Sequence, residues 1–437
     1  MNTNNETLAI LGGEPTSKEI FPEELPYIGE EEVSAVTEVI HSRKISVFSS
    51  PKVREFEEAF ASLTGVPYAV TVNSGTAAIH ASLLALGIQK GEEVIVPVYT
   101  YVASVIPMIF EGIRVIFADC DPDTMNIDPG TLETLITEKT RAILPVDLFG
   151  SPADKKQIQA LCDEYDIYMI EDSAQAVGAT FDGQHVGSFG VGCFSFGETK
   201  MITCGEGGMV TCQDRTTYER LLTIRQEGET IGNCATTGSG LEDITASDVI
   251  HHIDYPMIGY NFRMTALQAA MGCAQIDKLP SIITMRTENA RYLMEGLNSV
   301  SELTFQCPHP RAVPVYNRLV ARITPHIDRD AFLGALMAEG IPVGVWYPRL
   351  LTEGQLVKTT YPDQTERSFP GADLLCNTEI VLPVYPGLTT DHLDLVIEAV
   401  EKVVSAYNEN PEITEKIHKI IKKRKITRFF SSVYMEH

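Results

Sequence analysis

The chain has 437 residues, 44% hydrophobic and 21% charged, the balance of a folded globular protein rather than a disordered or membrane-embedded one. A chain of this length suggests two or three structural units. Its formal charge of −25 argues against a nucleic-acid footprint, because phosphate binding depends on clustered Lys and Arg.

Residues 1–26 read as an N-terminal arm, because Gly12, Gly13, Pro15, Pro22 and Pro26 disfavour regular structure. The polar start, Met1 to Thr7, lacks the basic and apolar regions of a secretory signal, and no apolar run reaches membrane-spanning length. The nine cysteines lie mainly in apolar contexts and read as buried thiols, not a disulfide framework, which points to a cytoplasmic location.

Residues 27–270 form a large domain in this reading. Its β-rich runs are Ala69–Val72, Glu93–Val96, Arg114–Ala118, Arg141–Val146, Ile167–Ile170, Val191–Phe196 and Met209–Cys212, separated by helix-like segments. Continuous apolar runs at this spacing predict an α/β architecture with a mostly parallel sheet covered on both faces. Ligands of such sheets gather at the carboxyl ends of the strands, so the chemistry is sought there.

Helical patterns over Thr265–Gln275 and Ile282–Leu297 lead into residues 271–408, a smaller C-terminal α/β domain with Val315–Ile323 and a last helix over His392–Ala406. Residues 409–437 form a basic tail. There Lys416, Lys419, Lys422, Lys423, Arg424, Lys425 and Arg428 alternate with Ile and end at Phe429 and Phe430. A solvated or weakly helical tail is favoured over a membrane or partner anchor.

The first chemical feature is Val72-Asn73-Ser74-Gly75-Thr76-Ala77, where a strand turns through Ser and Gly into an alanine-rich helix. A helix N-terminus of this kind is an anion site, although a plain capped helix has the same composition. After the next strand, Tyr99 and Tyr101 each offer a ring for a flat heterocycle, and spacing does not choose between them or exclude a core role.

Asp172 ends the buried run Ile167 to Ile170 and Glu171, and an acid there needs a partner. A pyridoxal ring supplies one in its protonated nitrogen; a helix N-cap is the bland alternative. Ser195 offers a further hydroxyl for a phosphate. Lys200 follows the apolar strand Val191–Phe196 and precedes Thr203-Cys204-Gly205-Glu206-Gly207-Gly208, so it sits on a glycine-rich connection at a strand end. A lysine in a partly desolvated setting is the kind that forms Schiff bases. His251, His252 and Asp254 read as a polar turn, and Cys193, Cys204 and Cys212 lack zinc spacing, so no metal is assigned.

Taken in order, Asn73-Ser74-Gly75-Thr76, Glu171-Asp172-Ser173-Ala174-Gln175, Phe194-Ser195-Phe196-Gly197-Glu198-Thr199-Lys200, Gly205-Glu206-Gly207-Gly208 and Gly259-Tyr260-Asn261-Phe262-Arg263-Met264 resemble the pyridoxal-phosphate sugar aminotransferases of the DegT/StrS type. The match runs from about Leu11 to Ala406 and leaves out the basic tail. It implies a fold-type-I transferase, with a large mostly parallel mixed-sheet domain and a smaller C-terminal α/β domain. It also implies a homodimer with composite active sites.

By motif position, Lys200 forms the internal aldimine, Asp172 pairs with the pyridine nitrogen and Gln175 approaches the phenolic oxygen. Gly75, Thr76 and Ser195 hold the phosphate, and Tyr101 takes the ring-stacking place. Asn261 and Arg263 match a segment that reaches the neighbouring subunit's phosphate. The implied reaction passes an amino group from glutamate or glutamine, through pyridoxamine phosphate, to a keto-sugar (nucleotide-linked) or a keto-cyclitol.

Three departures concern the substrate: Val146-Asp147-Leu148-Phe149-Gly150, Trp346-Tyr347-Pro348-Arg349 and Val384-Tyr385-Pro386-Gly387 each replace a histidine-containing run of the family. They predict altered pocket or rim contacts, with Trp346 either lining the pocket or packing the smaller domain. Rival readings are a pyridoxamine-dependent dehydratase, which carries histidine in place of Lys200; an aromatising synthase, which keeps the lysine; and a non-catalytic regulatory protein on the same scaffold. A nicotinamide dehydrogenase is disfavoured, because Gly190 to Ser195 lacks the third glycine of its fingerprint.

Overall fold

The computed structural model describes residues 7–231, 234–235, 253–410 and 412–424. Seven strands make the large sheet: β1 (Tyr68–Val72), β2 (Glu93–Pro97), β3 (Arg114–Ala118), β4 (Thr140–Ile143), β5 (Tyr168–Asp172), β6 (Val191–Ser195) and β7 (Gly208–Cys212). Their order across the sheet is β1-β7-β6-β5-β4-β2-β3. Strands β2 to β6 pair in parallel, as Ile170↔Val191 and Val94↔Val115 show, and only β7 runs against its two neighbours. The mostly parallel mixed sheet expected from the sequence is therefore present.

Strand boundaries moved by a few residues. The run Arg141–Val146 leaves the sheet after Ile143, and Val146 makes only a single bridge to Asp172. Conversely β5 extends two residues past Ile170 and ends on Asp172. Because β1, β2, β5 and β6 point the same way, their carboxyl ends bring Ser74, Tyr101, Asp172 and Ser195 to one edge.

Helix α1 (Gly75–Ala85) leaves that edge directly from β1 and is buried along almost its whole length, in keeping with an Ala/Leu/Ile composition that has no polar face. The two predicted helical patterns fuse into one helix, α2 (Ala266–Gly296), which runs through Pro280. Thr265 starts it with a capping box, its side chain accepting the Gln268 N–H while Gln268 reaches back.

The smaller layer is an antiparallel sheet of β8 (Leu303–Phe305), β9 (Leu319–Ile323) and β10 (Glu379–Leu382), in the order β8-β9-β10, with helices α3 (Arg329–Ala338) and α4 (Thr390–Glu409) beside it. Leu8 and Ile10 are buried in this layer's core, and the Glu339 carboxylate accepts from the N–H groups of Ala9 and Thr16 at 2.8 and 2.9 Å.

Of the solvated or weakly helical tail expected from the sequence, the described residues are helical. Residues Ile413–Arg424 form helix α5, whose Ile413 and Ile417 are buried against the same core. An i, i+4 pair of isoleucines gives a helix an apolar stripe, and that stripe outweighs the lysines around it.

Beneath the end of β5 lies a buried ion triad. The Lys155 ammonium, fully buried, sits 2.6 Å from an Asp147 oxygen and 3.1 Å from a Glu171 oxygen. Asp147 also accepts from the Ser173 hydroxyl at 2.6 Å, and its N–H donates to the Asp172 carbonyl at 2.9 Å. Removing the cation strands two buried carboxylates, which costs about 3–5 kcal/mol. Lys155→Met is expected to lower the urea midpoint by that measure, and Lys155→Met with Asp147→Asn to recover part of it; equilibrium urea unfolding checks both.

Candidate active site

The site begins where β1 turns into α1. Ser74 caps the helix by accepting the Ala77 N–H at 3.1 Å, while the amides of Gly75 and Thr76 belong to the first turn, which has no carbonyls of its own to bond. Ser195, ending β6, closes the opposite wall. A Cβ on Gly75 would lie 2.7 Å from the Ser195 Cβ, and one on Gly208 would lie 2.3 Å from the Ser74 carbonyl oxygen. Glycine at both places lets backbone and hydroxyl donors crowd into one small cradle, which suits a phosphate.

At the neighbouring strand end, Asp172 is 6% exposed. Its carboxylate accepts from the Ser104 hydroxyl at 2.8 Å and from the Ala174 N–H at 3.3 Å. Burial pushes its pKa up, and those two hydrogen bonds with the charges of Lys200 and Lys155 offset only part of the shift. A buried carboxylate whose hydrogen bonds are to neutral donors is suited to a cationic N–H partner, and a pyridinium meets that need. The N-cap alternative fails, since no helix starts at Asp172.

Gln175 is held by both ends of its amide. Its oxygen accepts the Phe149 N–H at 2.7 Å, and its nitrogen donates to the Tyr347 hydroxyl at 2.8 Å. Phe149 adopts a left-handed φ of 60°, and the strained turn aims that N–H at Gln175.

Lys200 occupies a loop pinned at its neck. The Phe196 carbonyl accepts the Cys204 N–H at 2.9 Å, the Phe196 N–H donates to the Gly207 carbonyl at 2.8 Å, and Met201 and Ile202 are buried in the core. Burial pulls the Lys200 ammonium down to about 8; the Asp172 charge opposes that shift and Arg318 adds to it. About a tenth of the amine is therefore neutral and nucleophilic at pH 7, hundreds of times the share of a surface lysine.

Of the two tyrosines after β2, Tyr99 is buried, and its hydroxyl donates to Glu379 at 2.6 Å. Tyr101 is 59% exposed at the strand-end edge. Asn261 is exposed, and its carbonyl accepts from the Asn73 amide at 3.3 Å, next to the cradle. Arg263 pairs with Glu227 and donates to Gln226 at 2.8 Å, with Phe48 beneath its guanidinium. Asn261 thus sits beside the cradle on the chain surface, while Arg263 is held by Glu227 and Gln226.

The cavity beside Lys200 holds about 440 Å³ and is closed by residues from the N-terminal segment, α2 and the smaller layer. Trp346 and Tyr385 line it, as two of the three departures predict, and the Arg318 guanidinium lies over the Trp346 ring at 4.4 Å. Asp147, the third departure, is no rim residue, because it is buried in the ion pair with Lys155. Sequence reasoning missed Ser104, Tyr347 and the arginines Arg286 and Arg318. Ser104 and the arginines carry no local signature, while Tyr347 stood in a run noted only for its missing histidine.

Among the described residues no group of three or more His, Cys, Asp and Glu is placed to hold a metal, and no helix is long and apolar enough to cross a membrane. His251 and His252 lie outside the described residues. Of the cysteines whose side chains are described, eight are free thiols, six of them buried.

Residues 26–401 match the DegT/DnrJ/EryC1/StrS aminotransferase family. An uncharacterized protein of Methanocaldococcus jannaschii, MJ1066, is 34% identical over 384 residues, which cover 87% of this chain and 96% of that one. The aminotransferase from Psychrobacter cryohalolentis superposes with a TM-score of 0.80 at 29% identity, over 89% of this chain and 99% of that one. Helicobacter pylori PseC, an aminotransferase involved in the biosynthesis of pseudoaminic acid, gives a TM-score of 0.80 at 25% identity, over 89% and 100%. A cradle, a buried acid and a softened lysine on the same strand ends agree with these likenesses: the chain belongs to the DegT/DnrJ/EryC1/StrS aminotransferases, enzymes that work with pyridoxal phosphate.

Proposed function

We propose that this aminotransferase carries the amino group of glutamate or glutamine to the ketone of a sugar, in nucleotide-linked form, or of a cyclitol, as a cytoplasmic homodimer. The observation that carries the reading is Lys200, with its pKa lowered to about 8, sharing a strand-end edge with buried Asp172 and the Gly75–Ser195 cradle. The role of PseC in pseudoaminic acid biosynthesis supports a sugar acceptor.

Pyridoxal phosphate, when bound, supplies the conjugated ring that accepts electrons from the carbon losing its proton. The amides of Gly75 and Thr76 and the hydroxyl of Ser195 bind its phosphate in this reading, and exposed Tyr101 lays its ring over the heterocycle. Asp172 holds a proton on the ring nitrogen, and Ser104 fixes the carboxylate's orientation. Gln175, clamped by Phe149 and Tyr347, presents its amide to the phenolic oxygen. Lys200 Nζ would take the donor's α-proton and return it to the carbon on the far side of the transferred nitrogen, work that suits an amine titrating near 8.

Asn261 and Arg263 serve the partner's phosphate in this reading. Exposed apolar side chains at Val33, Ile40, Phe48, Phe110 and Ile258 support a buried interface of that kind.

Protein supplied with pyridoxal phosphate is expected to absorb visible light, and borohydride to fix the cofactor to Lys200, read by peptide mass spectrometry; a colourless protein carrying no cofactor would overturn the reading. Capture of pyridoxal phosphate by the apo-protein should rise with pH through about 8, where the Lys200 amine loses its proton, instead of near the 10.5 of an ordinary lysine. Asp172→Asn removes a charge that raises the Lys200 pKa, so the rise moves to lower pH. The same variant is expected to keep cofactor capture and slow single-turnover transamination by ~100-fold or more, the scale of a lost transition-state contact.

A further inference from the structure

The cavity beside Lys200 holds two arginines, Arg286 and Arg318, that are 6% and 5% exposed. Both are fixed in place by the protein. The Asn317 carbonyl accepts from Arg286 Nη1 at 3.0 Å and from Arg318 Nη1 at 2.8 Å, and the Trp346 ring supports Arg318 from one face. The Arg286 Nε is buried without a hydrogen-bond partner. Both guanidiniums bond one Glu24 oxygen, at 2.7 Å from Arg318 and 3.3 Å from Arg286.

Glu24 differs from the arginines in kind. It stands on the N-terminal segment, and 36% of its side chain faces water. The segment is tied on either side of it: Tyr385 donates to the Pro22 carbonyl at 2.7 Å, and Gln275 to the Tyr27 carbonyl at 2.9 Å. A side-chain rotation therefore withdraws the carboxylate while the segment stays in place. Two buried cations sharing one carboxylate keep an excess positive charge, and burying such charge is costly unless an anion answers it. Fixed cations and a solvent-facing anion make an exchangeable pair.

We infer that Arg286 and Arg318 form an anion subsite for a substrate carboxylate, and that Glu24 fills it from within the chain until the substrate displaces it. The inference rests on the proposed aminotransferase reading only in that Lys200 marks the reacting end of the cavity. A carboxylate of the amino donor and an acidic group on the acceptor sugar share the required chemistry. Planar guanidiniums in a water-poor cavity bind either more tightly than an uncharged isostere.

Trp346 is the only tryptophan, and it touches Arg318, so its fluorescence reports on the subsite whether or not cofactor is loaded. Full-length protein, as purified with pyridoxal phosphate, is titrated with glutarate against glutaramide for the donor, and with glucuronate against glucose for the acceptor. At least one acid is expected to change the emission saturably and to bind at least about tenfold tighter than its neutral twin. The acid that responds identifies the source, and a response to both assigns one subsite to both half-reactions.

Glu24→Gln should tighten that acid several-fold, because the internal competitor is gone; Arg318→Gln should erase the preference, and Arg318→Lys restore part of it. Acids that bind no better than their neutral twins overturn the inference, and so does a Glu24→Gln affinity equal to wild type, a measurement independent of whether Arg318→Gln folds. Visible absorbance in the same samples separates failure of the subsite from failure to hold cofactor.

Discussion

A carboxylate buried at the end of β5 constrains the rest of the site. Asp172 accepts from a serine hydroxyl and a backbone amide, and burial raises its pKa. A charge in that position is tolerable only if cations stand nearby and one can reach it. The parallel sheet supplies that geometry, because strands running the same way end at the same edge. Lys200 arrives there on the loop after β6, and the phosphate cradle on the turn after β1.

The buried triad under β5 belongs to the same constraint. Lys155 bridges Asp147 and Glu171 from below, and Glu171 also accepts the N–H groups of Gly187, Phe189 and Gly190 at 2.9–3.0 Å. That network anchors the chain on either side of Asp172. Asp147 stands where the resembled family often carries histidine, and the buried Lys155 ammonium at 2.6 Å answers its charge.

Charge is divided by depth in this molecule. The chain as a whole carries −25, while the cavity beside Lys200 is lined by two buried guanidiniums and a lysine, answered by the exposed carboxylates of Glu23, Glu24 and Glu198. The N-terminal segment links the two regimes. Its apolar residues Leu8 and Ile10 are held in the smaller layer, and its Glu24 answers the buried arginines. A segment rich in Gly and Pro has no regular structure to predict, yet it is fixed by contacts made more than 250 residues away, as Arg286 and Arg318 to Glu24 show.

The sequence by itself determined the class of sheet, the approximate places of its strands and the principal cofactor candidates, because these are local signals. Apolar runs specify buried parallel strands, and Ser74-Gly75-Thr76 specifies a capped turn. The family motifs then place Asp172, Gln175, Ser195 and Lys200. It also marked the runs holding Trp346 and Tyr385 as departures that alter pocket or rim contacts, and left Trp346 open between lining the pocket and packing the smaller domain. Only the tertiary structure separated Tyr99 from Tyr101 physically, since the difference is a hydrogen bond to Glu379, 280 residues on. The same holds for Ser104 on Asp172, Tyr347 on Gln175, Lys155 under Asp147 and the arginine pair around Glu24. Each depends on two distant segments meeting, and no periodicity or spacing along one chain encodes a contact between residues that become neighbours only when the sheet, α2 and the smaller layer close on one another.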